Sequence, residues 1–155
     1  MSIESEIESW DGKSSVDIEA VYNRHLTRKE FLSIVVHLLE IEHLQCGASW
    51  LLKHYFENEG AIDSMQASDI LGKLYKLVTW EAKLHILQSL PYIPISIDRK
   101  EGVEYFLRNN LTSDNKFVRA WTYNCFYLLS RQFSEYEQET KRFFEMAMKD
   151  EVPSV

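Results

Sequence analysis

Helix breakers are scarce in this chain: 5 glycines and 3 prolines among 155 residues, where an average sequence carries about 7% and 5%. So few points of sharp turning or missing amides favour long helices joined by short turns. The competing pattern is absent too. The one brief alternating stretch, Tyr92-Ile93-Pro94-Ile95-Ser96-Ile97, follows Pro91 and contains Pro94. Proline cannot donate to a central ladder, so the stretch reads as a connector. The fold class is therefore all-α. One domain is the expectation at this length, and such a chain buries roughly 68–70% of its unfolded surface without metal or disulfide staples.

The hydrophobic content of 45% is too high for a disordered chain. Residues 1–14 are polar and read as a loosely attached N-terminal arm, with one helical turn around Ile3, Ile7 and Trp10. Residues 15–155 form the single all-α domain. Within it, residues 17–25 make a short helix capped by Ser15. Thr27-Arg28-Lys29-Glu30 matches a capping box opening a largely buried helix through Ile41. Cys46-Gly47-Ala48-Ser49 breaks or kinks the chain before a helix over 50–58 that ends at Gly60. Further helices are predicted at 66–76, 79–90, 99–110, 115–131 and 135–149.

A repeat underlies the second half. The stretch Asp114-Asn115-Lys116-Phe117-Val118-Arg119 compares with Glu151-Val152-Pro153-Ser154-Val155, the two valines standing 37 residues apart. Trp80, Leu84, Leu87 and Leu90 superpose on Val118, Thr122, Cys125 and Leu128 at an offset of 38. Spacing of this kind belongs to paired helices that bury their apolar faces only by stacking. On the acid-x3-Val-Arg start of 114–119 and the Asp150 to Val155 approach, the chain resembles HEAT-like (armadillo-type) helical repeats over residues 64–155. Residues 15–60 then act as degenerate capping helices. An irregular helical bundle is the alternative.

The resemblance implies that ligands sit on a concave face lined by the second helix of each pair. On 115–131, the stripe opposite the apolar face is Lys116, Arg119, Tyr123 and Tyr127. The stripe superposed on it from 79–90 is Glu81, His85 and Ser89. Arg and Tyr are frequent binding anchors, so Glu81, His85, Lys116, Arg119, Tyr123 and Tyr127 are the candidate binding residues. A solvated helix face is the bland alternative.

Chemistry-bearing patterns are few. His37, Glu40, His43 and Cys46 recur at intervals of three, but His37 and His43 lie about 120° apart around a helix and cannot share one ion. No metal site and no cofactor are expected. Cys46 and Cys125 sit among apolar residues, where thiols are inert and indicate a reducing compartment. No two glycines are closer than 12 residues, so no phosphate-cradling glycine loop exists. Trp50, Trp80 and Trp121 read mainly as core residues, while Trp10 could dock on a partner. The N-terminus lacks a secretory signal, and residues 31–41 are too short and polar to cross a bilayer. A cytoplasmic location is expected.

Three functions are weighed. The first is a non-catalytic adaptor that binds a protein or peptide on the concave face. The second, implied by the resemblance, is a DNA-repair enzyme of the alkylpurine glycosylase type, using Lys116, Arg119, Trp121 and Tyr123 with Asp114 as the carboxylate. The net charge of -7 opposes nucleic acid. The third is an acidic inhibitor or immunity-type protein, whose acid runs (Glu4, Glu6 and Glu8; Asp17 and Glu19; Glu57 and Glu59; Glu135, Glu137 and Glu139) steer it to a basic partner. An open repeat end would also let two copies pair as a homodimer.

Overall fold

The computed structural model describes residues 1–151 and 153. Those residues form nine α-helices and no strand: α1 (Ile3–Ser9), α2 (Ser15–His25), α3 (Phe31–Leu38), α4 (Gln45–Glu57), α5 (Ser64–Leu71), α6 (Trp80–Ser89), α7 (Lys100–Asn110), α8 (Lys116–Gln132) and α9 (Glu137–Asp150). The stretch read as a connector holds two short 3-10 turns, Leu90–Tyr92 and Ile97–Arg99. Of the terminal motif compared above, Val152, Ser154 and Val155 lie outside the described residues.

Packing follows a simple order. Helix α4 packs on α6, α6 on α8, and α8 on both α7 and α9. Helix α3 packs on α4 and α5, and α7 rests against a 3-10 turn at Leu74–Lys76. The helices α4, α6 and α8 start 35 and 36 residues apart, and α5, α7 and α9 start 36 and 37 apart. Side-chain hydrogen bonds made by these helices span comparable distances: 31 residues from Gln45 to Lys76, 36 from Ser49 to His85, 38 from Cys125 to Leu87. The buried set repeats with the helices. Ala82, Ile86, Ser89 and Leu90 are buried, as are Val118, Thr122, Cys125 and Phe126, each 36 residues later.

The offset of 38 expected for α6 and α8 is therefore corrected to 36. It paired Trp80 with Val118, but Trp80 is 49% exposed and Val118 is 0% exposed. A two-residue slip rotates one helix by about 200° relative to the other. Stripes matched in that register consequently point to opposite sides.

The capping box also moves. Thr27 lies inside a turn between α2 and α3, held by Arg28 N–H to His25 O at 3.0 Å and Phe31 N–H to Arg28 O at 3.1 Å. Helix α3 starts after Glu30 with no side-chain cap. The reciprocal box forms instead at α5, where Asp63 Oδ1 accepts the Gln66 amide at 2.7 Å and Gln66 Oε1 accepts the Asp63 amide at 3.0 Å. Ser14, not Ser15, caps α2. The break expected at 46–49 lies earlier, at 39–44, and α4 runs through Gly47.

The N-terminal segment is docked rather than loose. Ile3 and Ile7 are 1% and 4% exposed. Ile7 presses on Gly47, where an added Cβ would lie 2.5 Å from Ile7 Cγ2. Glu6 accepts hydrogen bonds from Arg24 and from the buried His25. Burial would raise the Glu6 carboxyl, but those two hydrogen bonds and charges outweigh it and hold it below the usual range.

Helix α4 ends in a Schellman pair, with Gly60 N–H bonded to Tyr55 O at 2.8 Å and Glu59 N–H to Phe56 O at 3.1 Å. The left-handed residue that this motif requires is Glu59, at φ 64°. A side chain pays steric energy there that glycine does not. Glu59→Gly is therefore expected to stabilise the fold by about 0.5–1 kcal/mol. An unchanged or lowered urea midpoint would refute that. Gly60 cannot be exchanged in the same way, because its Cβ would enter the Tyr55 ring.

Candidate functional site

The six residues read from sequence fall into two places. On α6, His85 turns towards α4, where its Nδ1 lies 2.8 Å from Ser49 Oγ. The Ser49 oxygen also lies 3.0 Å from Cys46 O, within hydrogen-bond distance. Burial and then the Lys53 charge push His85 down to about 4, so it is neutral near pH 7. A serine–histidine pair at this distance resembles a nucleophile and its base. Ser49 is 0% exposed, however, and the pair ties α4 to α6. Glu81, one turn earlier on α6, is near enough to raise Cys46 further, after burial. Ser89 is buried and donates to His85 O at 2.8 Å.

The α8 residues face the other way. Arg119 grips Glu151 with Nε and Nη2 at 2.6 and 2.8 Å, and its Nη1 donates to Ser113 O at 2.8 Å. Tyr123 OH donates to Glu151 at 3.3 Å. The hydrogen bond from Arg119 outweighs burial and holds the Glu151 carboxyl below its usual range. Tyr127 meets Phe144 of α9 edge-on, with centroids 6.3 Å apart. Lys116 is exposed, its Nζ 5.1 Å from the Phe117 ring. Arg119 and Tyr123 thus converge on Glu151. No hydrogen bond or ion pair among the described residues joins them to Glu81 or His85.

The spaced histidines disperse as well. His37 pairs with Glu40 at 3.2 Å, Glu40 with Lys76 at 2.9 Å, and His43 with Glu8 at 3.4 Å. No group of three or more His, Cys, Asp or Glu residues fit to hold a metal occurs among the described residues. Burial pushes the Cys125 thiol upward, and its Sγ donates to Leu87 O at 3.2 Å. No described helix is long and apolar enough to cross a membrane.

A groove opens elsewhere, where the packing of first helices is interrupted. Helix α5 has 8 residues and ends at Leu71, and a 3-10 turn at Leu74–Lys76 takes its place beside the 11-residue α7. The resulting groove holds about 480 Å3, between Leu71, Leu74 and Leu77 on one side and the Gly102, Phe106 and Asn110 face of α7 on the other. Tyr75 and Tyr105 stand at its rim, 75% and 67% exposed. Lys83 of α6 and Arg99 line it with one carboxylate, Asp98.

Both cations are held open. Arg99 is fixed by Nε donating to Ser68 Oγ at 2.9 Å, and its guanidinium crosses Gly72, where a Cβ would lie 2.9 Å from Nη1. Its two terminal nitrogens have no hydrogen-bond partner among the described residues, and neither Arg99 nor Lys83 forms an ion pair there. Asn110 is 2% exposed and donates Nδ2 to Phe106 O at 2.8 Å, leaving Oδ1 unpartnered on the groove wall. A groove of this size, with aromatic rims and a few convergent polar groups, has the make-up of a ligand site.

None of these groove residues emerged from the sequence reading. One signal was available in the repeat. In the 36-residue register, Asn110 occupies the position that Leu74 fills one pair earlier, and both are buried. A polar residue in an apolar register position marks the groove. Compared with known proteins, the chain matches no family model, no curated protein and no solved structure.

Proposed function

We propose that this chain is a non-catalytic helical-repeat interaction module, HEAT-like in its stacking, that binds a segment of a protein partner. The stacking is supported by the 35- and 36-residue spacing of α4, α6 and α8 and by their serial packing. The binding site is the groove between the Leu74–Lys76 turn and α7, rather than the Lys116, Arg119, Tyr123 and Tyr127 stripe. One observation carries this choice. The groove presents two exposed tyrosines and two cations without ion pairs among the described residues, whereas Arg119 already spends its guanidinium on Glu151. Exposed aromatics beside fixed cations are the usual anchors of an interface.

Peptides selected by display against the whole chain test the reading. The double variant Tyr75→Ala/Tyr105→Ala is expected to weaken selected peptides by roughly tenfold or more, as loss of two anchors does. Tyr127→Ala is expected to leave them unchanged. Peptides that keep full affinity for the double variant, or that lose it only with Tyr127→Ala, would overturn the groove assignment. Nothing in the site geometry favours the glycosylase or the inhibitor reading over this one. Asp114 lies with Trp80 in a separate shallow depression and Arg119 is engaged by Glu151.

A further inference from the structure

Resting on that reading, we propose that the inner end of the groove is a carboxylate-binding subsite, and that the partner segment presents an Asp or Glu side chain to Lys83 and Arg99. The protein carries its own analogue of such a contact one repeat later. Lys83 and Arg119 are both the fourth residue of their helices, α6 and α8. At α8 the segment after the next first helix supplies Glu151, and Arg119 clamps that carboxylate at 2.6 and 2.8 Å. At α6 the segment after the next first helix, α7, supplies Asp114, but that acid lies beside Trp80 in a separate depression, and the groove receives Asn109 and Asn110 from the last turn of α7 instead. The cation is retained, and among the described residues it forms no ion pair with that acid. Asn110, in place of an apolar residue, keeps that spot polar.

The charge balance selects the anion. Lys83 and Arg99 bring two positive charges and Asp98 one negative, a local excess of one in a chain whose net charge is -7. One carboxylate closes that balance. A phosphate, at about −1.5 to −2, would leave uncompensated negative charge beside Asp98. The planar fork of Arg99, free at both terminal nitrogens, also matches the two oxygens of a carboxylate.

The test uses a fluorescein-labelled hexaglutamate peptide, its hexaglutamine counterpart and inorganic phosphate, with the full chain in low-salt buffer, read by fluorescence anisotropy and by amide shifts of Gly102 and Asn110. Expected are binding of the glutamate peptide, shifts at both amides, and roughly tenfold or greater weakening with glutamine or with Lys83→Gln/Arg99→Gln. Lys83→Arg keeps the charge and is expected to restore binding, which separates a lost contact from a lost fold. Lys116→Gln, a cation outside the groove, is expected to change nothing. Equal binding of the two peptides, undiminished binding to the double variant, or displacement by phosphate at lower concentration than by acetate would each overturn the subsite. Selected peptides that depend on Tyr75 and Tyr105 but ignore Lys83 and Arg99 would sink this inference alone and leave the groove as the interaction site.

Discussion

Replacing Phe126 by alanine is expected to lower the unfolding free energy by about 3–5 kcal/mol, or the melting temperature by roughly 6–20 °C for a chain of this size. Phe126 is 0% exposed on α8 and holds three elements at once. Its ring tilts against Phe143 of α9 at 4.8 Å between centroids, and the Arg108 guanidinium of α7 lies 5.7 Å from its centre. Thr140 of α9 donates to its carbonyl at 3.3 Å. Arg108 in turn clamps Glu139 through two bonds of 2.7 and 2.6 Å, so the ring supports an ion pair between α7 and α9. Phe117, on the same helix but 47% exposed, provides the comparison. Its alanine variant should cost well under about 1 kcal/mol, as surface changes do. Similar losses at the two positions would mean that α9 is not packed on α8 as described.

Acidification from pH 7 to pH 5 is expected to remove about 2 kcal/mol of stability through His85 alone. Its folded value is pushed from 6.5 to about 4, chiefly by burial. The unfolded chain therefore takes up the proton first as pH falls. Stability is fully present above 6.5 and drains away towards about 4, the window set by those two values. The depressed carboxylates Glu104, Glu139 and Glu151 start from 4.5 and release their contribution only below it. His85→Asn keeps a nitrogen donor near Ser49 but does not titrate, so it should flatten the profile between pH 5 and pH 7. A slope identical to that of the unsubstituted chain would show that His85 is not the buried neutral group described.

Much of the helical framework could be read directly, and the errors have a common origin. The helices predicted at 79–90, 99–110, 115–131 and 135–149 match α6, α7, α8 and α9 to within two residues. Each of these has a strong apolar period and a turn on either side, which local sequence reports well. Where several residues could serve as a cap, tertiary context decided, as at Thr27 and Asp63. Both have the right partner three residues on, yet α3 starts only after Glu30, whereas α5 starts directly after Asp63, where the reciprocal bonds form. The six stripe residues do not come together on one face, and the reason is geometric. A register error of two residues is small along the chain and nearly a half-turn around a helix, enough to join His85 to the wrong side of its neighbour. Arg119 reads from the sequence as a cation on a polar stripe. Only the folded chain reveals that Glu151, 32 residues away, occupies it. Asn110 carries no signal by itself, because a single asparagine in the last turn of a helix is ordinary. Its meaning depends on the register that pairs it with Leu74.

The even spacing of the helices bears on how the chain finds its fold. Bonds between elements such as Gln45 to Lys76, Ser49 to His85 and Cys125 to Leu87 join residues 31, 36 and 38 apart. Each asks the unfolded chain to close only a loop of that size. Loop closure costs grow slowly, by about 0.6 kcal/mol for each doubling. Successive closures of equal length therefore present a series of similar small barriers instead of one large one. On the proposed stacking, a nucleus formed at any helix pair would extend towards either terminus. The order of assembly would then follow which pair packs best on its own, and the rate would follow local closures rather than an encounter between distant ends.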